Sequence, residues 1–197
     1  MLNKLAKICD ETRVKHFDTL PTRKEEAFNF QPISPIQRGH KIMDDMRAKM
    51  RILDESDKPR SKDQRFIHHE IMSAMSRFIY GPELYNNEVL VKTYNKFDSF
   101  HHGVIFTAPR RNGKTRSIVM IVAIVMLCVP NAEICVVAQT ARASGADSGL
   151  YAQVKSLLGD KFNVTSFDKS NKETLILKMG VNDERKLSCY SGGSRHG

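Results

Sequence analysis

The sequence predicts an α/β fold, a parallel sheet sandwiched by helices, and three observations predict it. An apolar stretch, Gly103-Val104-Ile105-Phe106-Thr107, runs directly into a loop that ends Gly113-Lys114-Thr115. After the loop, Ile118 to Val129 reads IVMIVAIVMLCV, apolar on every face, and a helix of that composition must be buried. Glu133 to Ala138, EICVVA, is then a run of β-branched and apolar residues of the kind expected where both faces of a sheet are covered. Strand, loop, helix, strand in that order is a βαβ unit.

Taken from the amino terminus, residues 1–60 mix charges with Pro21, Pro32, Pro35 and Pro59, and read as a charged extension. Within it Ile42, Met46, Met50 and Leu53 recur at helical spacing, which predicts one amphipathic helix over His40 to Glu55, in an extension docked on a partner or on the main domain or, just as readily, a partly mobile arm. Residues 61–197 read as the principal domain. Ser61-Lys62-Asp63-Gln64 has the form of a capping box, so a helix starts there and closes at Gly81-Pro82, with Ile67, Ile71, Met75 and Phe78 as its apolar stripe.

The strand at 103–107 then leads into the loop. The usual phosphate loop is Gly, four residues, then Gly-Lys-Ser/Thr; here the tail matches and Ala108 holds the leading position. Backbone N–H groups and the positive end of the following helix dipole converge in such a loop, which suits a triphosphate. Pro109 biases Ala108 toward the extended conformation of a strand end. Gly113 lets the backbone approach the phosphates and take positive φ. Lys114 is placed for the β and γ phosphates and Thr115 for a magnesium ion, with ATP and Mg2+ as the ligands. Arg110 and Arg111 set two more cations where charge develops in phosphoryl transfer, and Asn112 completes the loop. The principal domain is thus of phosphate-loop (P-loop) NTPase type.

The helix after the loop has 12 apolar residues before Pro130, short of the about 20 that span a bilayer, so no membrane is implied. Asp147 to Leu158 reads as a further helix. Phe162 to Phe167, Thr174 to Lys178 and Lys186 to Tyr190 read as short strands, the last two joined by a polar turn through Gly180 and Asn182. The formal charge of +9 favours polyanionic partners. Cys9, Cys128, Cys135 and Cys189 have neither CxxC nor metal-ligand spacing, and buried free thiols are expected for those in core elements. The pairs His68-His69 and His101-His102 point apart on any regular element, which favours surface or capping roles over metal binding. Met1-Leu2-Asn3-Lys4 is too polar for a secretory leader.

The loop Ala108-Pro109-Arg110-Arg111-Asn112-Gly113-Lys114-Thr115 resembles the deviant phosphate loop of the large subunit of viral DNA-packaging terminases, from herpesviruses and tailed bacteriophages, with the herpesvirus-like form nearest. Ala138-Gln139-Thr140-Ala141-Arg142 is similar to the family's segment that couples nucleotide state to DNA, and Ser191 to Gly197 to its Ser/Gly/Arg-rich loop. The resemblance covers residues 100–197. It implies an ASCE-like ATPase that drives double-stranded DNA into a capsid, in the host nucleus if herpesvirus-like and otherwise in the cytoplasm. It also implies a capsid portal and a small terminase subunit as partners, and a homo-oligomer. Within it Lys114 with Arg110 or Arg111 would be catalytic, Thr115 would bind Mg2+, and Gln64 would hold the adenine, a role its place in the capping box explains equally well. The apolar strand ending Asp-Glu that such an ATPase needs occurs nowhere in the 197 residues, so the expectation is an incomplete, amino-terminal portion. Two other readings stand beside it: a helicase-like nucleic-acid-dependent ATPase, and a non-hydrolysing nucleotide- or DNA-binding module.

Overall fold

The computed structural model describes residues 34–107, 109, 113–138, 140, 149–170 and 173–191. Along the chain run α1 (Pro35–Asp54), α2 (Lys62–Tyr80), α3 (Glu83–Asn86), α4 (Glu88–Asn95), α5 (Lys114–Cys128), β1 (Glu133–Ala138), α6 (Leu150–Phe162), β2 (Lys169–Ser170), β3 (Thr174–Gly180) and β4 (Asp183–Ser191). The class is α/β.

Helix α1 begins earlier than its apolar stripe suggests because Ser34 and Gln37 form a capping box, with reciprocal hydrogen bonds of 3.2 Å, and Pro35 sits in the first turn. Ile42, Met46, Met50 and Leu53 are all buried, in one core with residues of α2 and α5. The capping box at Ser61 and Gln64 starts α2 where the sequence places it, and Gly81 closes it at φ 61°. The face that α2 buries is a different one from that expected. Phe78 is 86% exposed and Ile67, Ile71 and Met75 are half-buried, whereas Gln64, His68, Met72, Ser73, Ser76, Ile79 and Tyr80 are buried. The reason is that the polar members of that face are satisfied inside: Ser73 donates to Ser99 O, Ser76 to Met72 O, and His68 meets Ser117.

Helices α3 and α4 have no counterpart in the sequence reading. They are anchored by Asn95, which donates to Tyr80 Oη and to Val91 O at 2.9 Å each and accepts from Arg47 Nη2 of α1 at 2.6 Å. Tyr80 in turn lies against Gly39, where a Cβ would come within 2.2 Å of its ring, so the α1–α2 crossing requires glycine there.

The strand expected at Gly103–Thr107 does not form. That segment lies in no regular element and pairs with no strand among the described residues, and Ile105 is 98% exposed. β-propensity makes a strand only where a neighbouring edge supplies the ladder.

Helix α5 carries the predicted apolar run, and its first turn extends back to Lys114. It is buried on all sides because it lies in two cores. Met120, Ile121, Ile124 and Val125 pack with α1 and α2, while Val119, Val122, Ala123 and Met126 pack with α6 and the sheet. The sandwich therefore encloses this helix; the sheet itself is not enclosed.

The sheet has the order β1-β4-β3-β2. It is mixed rather than parallel: β1 and β4 run parallel, Glu133 opposite Lys186 and Val137 opposite Tyr190, while β3 pairs antiparallel with both β4 and β2. The β3–β4 hairpin matches the sequence reading. The strand expected at Phe162–Phe167 is absent because α6 runs on to Phe162 and stops on Asn163 in the left-handed conformation, φ 55°, with Val164 N–H returning to Leu158 O. β1 is not covered on both faces either. Ile134 and Val136 turn to the helices, and Val137 and Tyr190 stand 68% and 49% exposed on the other side. Cys135 is consequently exposed, while Cys128 and Cys189 are buried and their thiols pushed up to about 11 by burial.

Candidate phosphate-binding site

The site is built where α5 begins. Gly113 precedes the helix at φ 73°, and a Cβ there would meet the Gln64 amide nitrogen at 2.9 Å, so both its backbone and its neighbour call for glycine. Among the described residues no side chain caps the helix, which leaves the first-turn N–H groups of α5 directed at the loop. Lys114 Nζ donates to Pro109 O at 2.8 Å. The side chain of Thr115 is exposed one position on. Lys114, Thr115, Gly113 and Pro109 are thus together. Ala108, Arg110, Arg111 and Asn112 lie outside the described residues, as do Gln139, Ala141, Arg142 and residues 192–197.

Gln64, 49 residues before Gly113 in sequence, is also brought to this place. Its Oε1 accepts from Ser61 N at 3.0 Å and its Nε2 donates to Gly113 O at 3.3 Å. Both ends of the amide are therefore engaged within the protein, one in the cap of α2 and one on the residue that opens α5.

One turn further along both helices lies a group that sequence reasoning missed. His68, fully buried, sits with Nε2 2.9 Å from both Ser117 O and Ser117 Oγ on α5, and with Nδ1 3.1 Å from Arg60 Nη1. Arg60 can only donate, so Nδ1 accepts and the ring carries its hydrogen on Nε2, directed at Ser117. Arg60 grips Asp54 at the end of α1 through Nε at 2.9 Å and Nη2 at 2.8 Å. Burial, with the guanidinium beside it, lowers the His68 pKa to about 4, and the hydrogen bond from Arg60 holds the Asp54 carboxyl below its ordinary value. The chain Asp54, Arg60, His68, Ser117 fixes α5 to α1 and α2 just behind the loop. A signal for it existed: once Gln64 is fixed by the cap, the residue four on lies over the same face of the helix.

His68 thus departs from the surface role expected of its pair, whereas His69 meets Lys96 O and His101 pairs with Glu70 nearer the surface. Among the described residues no cluster of His, Cys, Asp and Glu could hold a metal ion, and no helix is long and apolar enough to cross a membrane. No protein-family model matches the chain, and no curated protein matches it.

Proposed function

We propose that this chain binds the triphosphate of ATP, with Mg2+, at the start of α5, and that the domain is of P-loop NTPase type. The observation that carries the reading is the open first turn of α5, preceded by a left-handed glycine and with Lys114 Nζ donating to Pro109 O. A phosphate group there would take the place of the Pro109 carbonyl as a partner of Lys114 and take up the uncapped N–H groups. Thr115 would hold the magnesium ion, and Arg110 or Arg111 would offset charge on the transferred phosphoryl group.

The similarity of Ala108–Thr115 to terminase loops supports placing that chemistry in a DNA-packaging motor, with double-stranded DNA, a portal and a small subunit as partners. The formal charge of +9 agrees with a polyanionic partner. Because the sequence holds no apolar strand ending in Asp-Glu, a second reading is kept: a nucleotide-binding module that does not turn ATP over.

Titration of the purified chain with Mg-ATP, with Lys114→Ala beside it, tests the proposal. Loss of a charge-assisted contact to phosphate predicts at least about tenfold weaker binding in the variant. Equal affinity in the two proteins, or none in either, would contradict it. Phosphate release measured in the same samples separates a hydrolase from the binding module.

A further inference from the structure

A cleft of about 390 Å³ opens beside the first two turns of α5, within the size range of small-molecule sites. Its walls come from three elements. The segment after α1 supplies Asp57 and Lys58, α5 supplies Arg116, Val119 and Met120, and α6 supplies Gln153, Leu157 and Asp160. We infer that this cleft holds the nucleoside half, base and ribose, of the nucleotide whose phosphates sit at the start of α5; the inference rests on that phosphate reading.

Three features point to this occupant. The first is position: Arg116 lies in the same helical turn as Lys114, and Val119 and Met120 lie about 7–9 Å farther along the axis, within the extended reach of a nucleoside triphosphate. The second is chemistry. Val119, Met120, Leu157 and Leu53 make an apolar floor on which a flat ring can lie, and the rim carries Asp57, Asp160 and the amide of Gln153. A carboxylate has about four lone-pair sites, so Asp160, which already accepts from Ser156 Oγ at 2.7 Å, retains capacity for ribose hydroxyls or an exocyclic amine. The third is rigidity. Arg116 donates to Lys58 O and so fixes the wall to the first turn of α5, while Arg60 and Asp54 fix the same segment to the end of α1. The cleft and the first turn of α5 are thus held by one piece of structure, and a ligand reaching from one to the other meets a preorganised wall.

The experiment compares Mg-ATP with inorganic tripolyphosphate on the full chain and on Ser156→Trp, an exposed position on the rim from which the indole would fill the cleft and lie on its apolar floor. Expected is ATP binding weaker by about tenfold or more in the variant, with tripolyphosphate affinity unchanged within about twofold. Asp160→Ala, a smaller change, is expected to shift ATP alone in the same direction. ATP no tighter than tripolyphosphate on the native chain, or equal weakening of both ligands by Ser156→Trp, overturns the inference. Tripolyphosphate that never binds, beside ATP binding that Ser156→Trp removes, would instead leave the cleft standing and overturn the phosphate reading.

Discussion

Replacing Arg60 by alanine lowers folding stability by about 1.5–3 kcal/mol, the scale for losing charge-assisted hydrogen bonds in a half-buried pair. The guanidinium is 8% exposed and Asp54 23%, and once Arg60 is gone Asp54 keeps only the longer contact with Arg65 Nε at 3.9 Å. The loss is larger than that of one bond because Arg60 also donates to His68 Nδ1 and contacts Met50 Sδ at 3.0 Å. Denaturant unfolding reads the effect, and Lys178→Ala supplies the comparison. Lys178 pairs with Asp168 in solvent, 52% and 43% exposed, and its loss stays within about 1 kcal/mol. Similar values for the two variants would show that the buried network contributes no more than a surface pair.

The second large effect is on pH. The unfolded chain takes up the His68 proton near the ordinary 6.5 and the folded chain only near 4, so between those values the unfolded state binds more protons. The His68 contribution is complete above pH 6.5 and is lost as pH falls toward 4, a change of about 3 kcal/mol at 1.36 kcal/mol per pKa unit. His40, whose pKa burial also lowers, adds a slope of the same sign in that window. Asp54 acts further down, its stabilisation present above its ordinary carboxylate value and lost as pH drops through its lowered one. Unfolding free energies from pH 8 to 4 for the native chain and His68→Gln separate these shares. The variant flattens the curve and leaves the part owed to His40; an unchanged slope would mean that His68 is not held neutral in the folded protein.

The parts of this fold that the sequence made legible are those where one strong local signal acted alone. Ser61 and Gln64 spell a cap, Ile118 to Val129 cannot be anything but buried, and the turn between β3 and β4 is marked by Gly180. The elements read wrongly are those where a partner decides. Gly103–Thr107 has the composition of a strand but pairs with no edge among the described residues, and EICVVA has the composition of an enclosed strand yet shows one face to solvent. On α2 the apolar stripe was visible, but the helix buries Gln64, His68, Ser73 and Ser76 instead, because each finds a hydrogen-bond partner that hydrophobic periodicity does not register. The same blindness hid the site's support. The loop residues could be named from their letters, whereas the contacts of Gln64 and His68 with Gly113 and Ser117 join positions about fifty apart in sequence, and only the folded arrangement reveals them.

Backbone amide exchange at the start of α5 tests the central claim most directly. The N–H groups of Gly113, Lys114, Thr115 and Arg116 are those a helix cannot bond internally, and if they hold phosphate they slow markedly when Mg-ATP is added. The account predicts that this protection appears in the native chain, is elicited by tripolyphosphate as well as by ATP, and is lost in Lys114→Ala. Exchange at these four amides that stays the same at saturating Mg-ATP, or protection that arises only elsewhere in the chain, would contradict it.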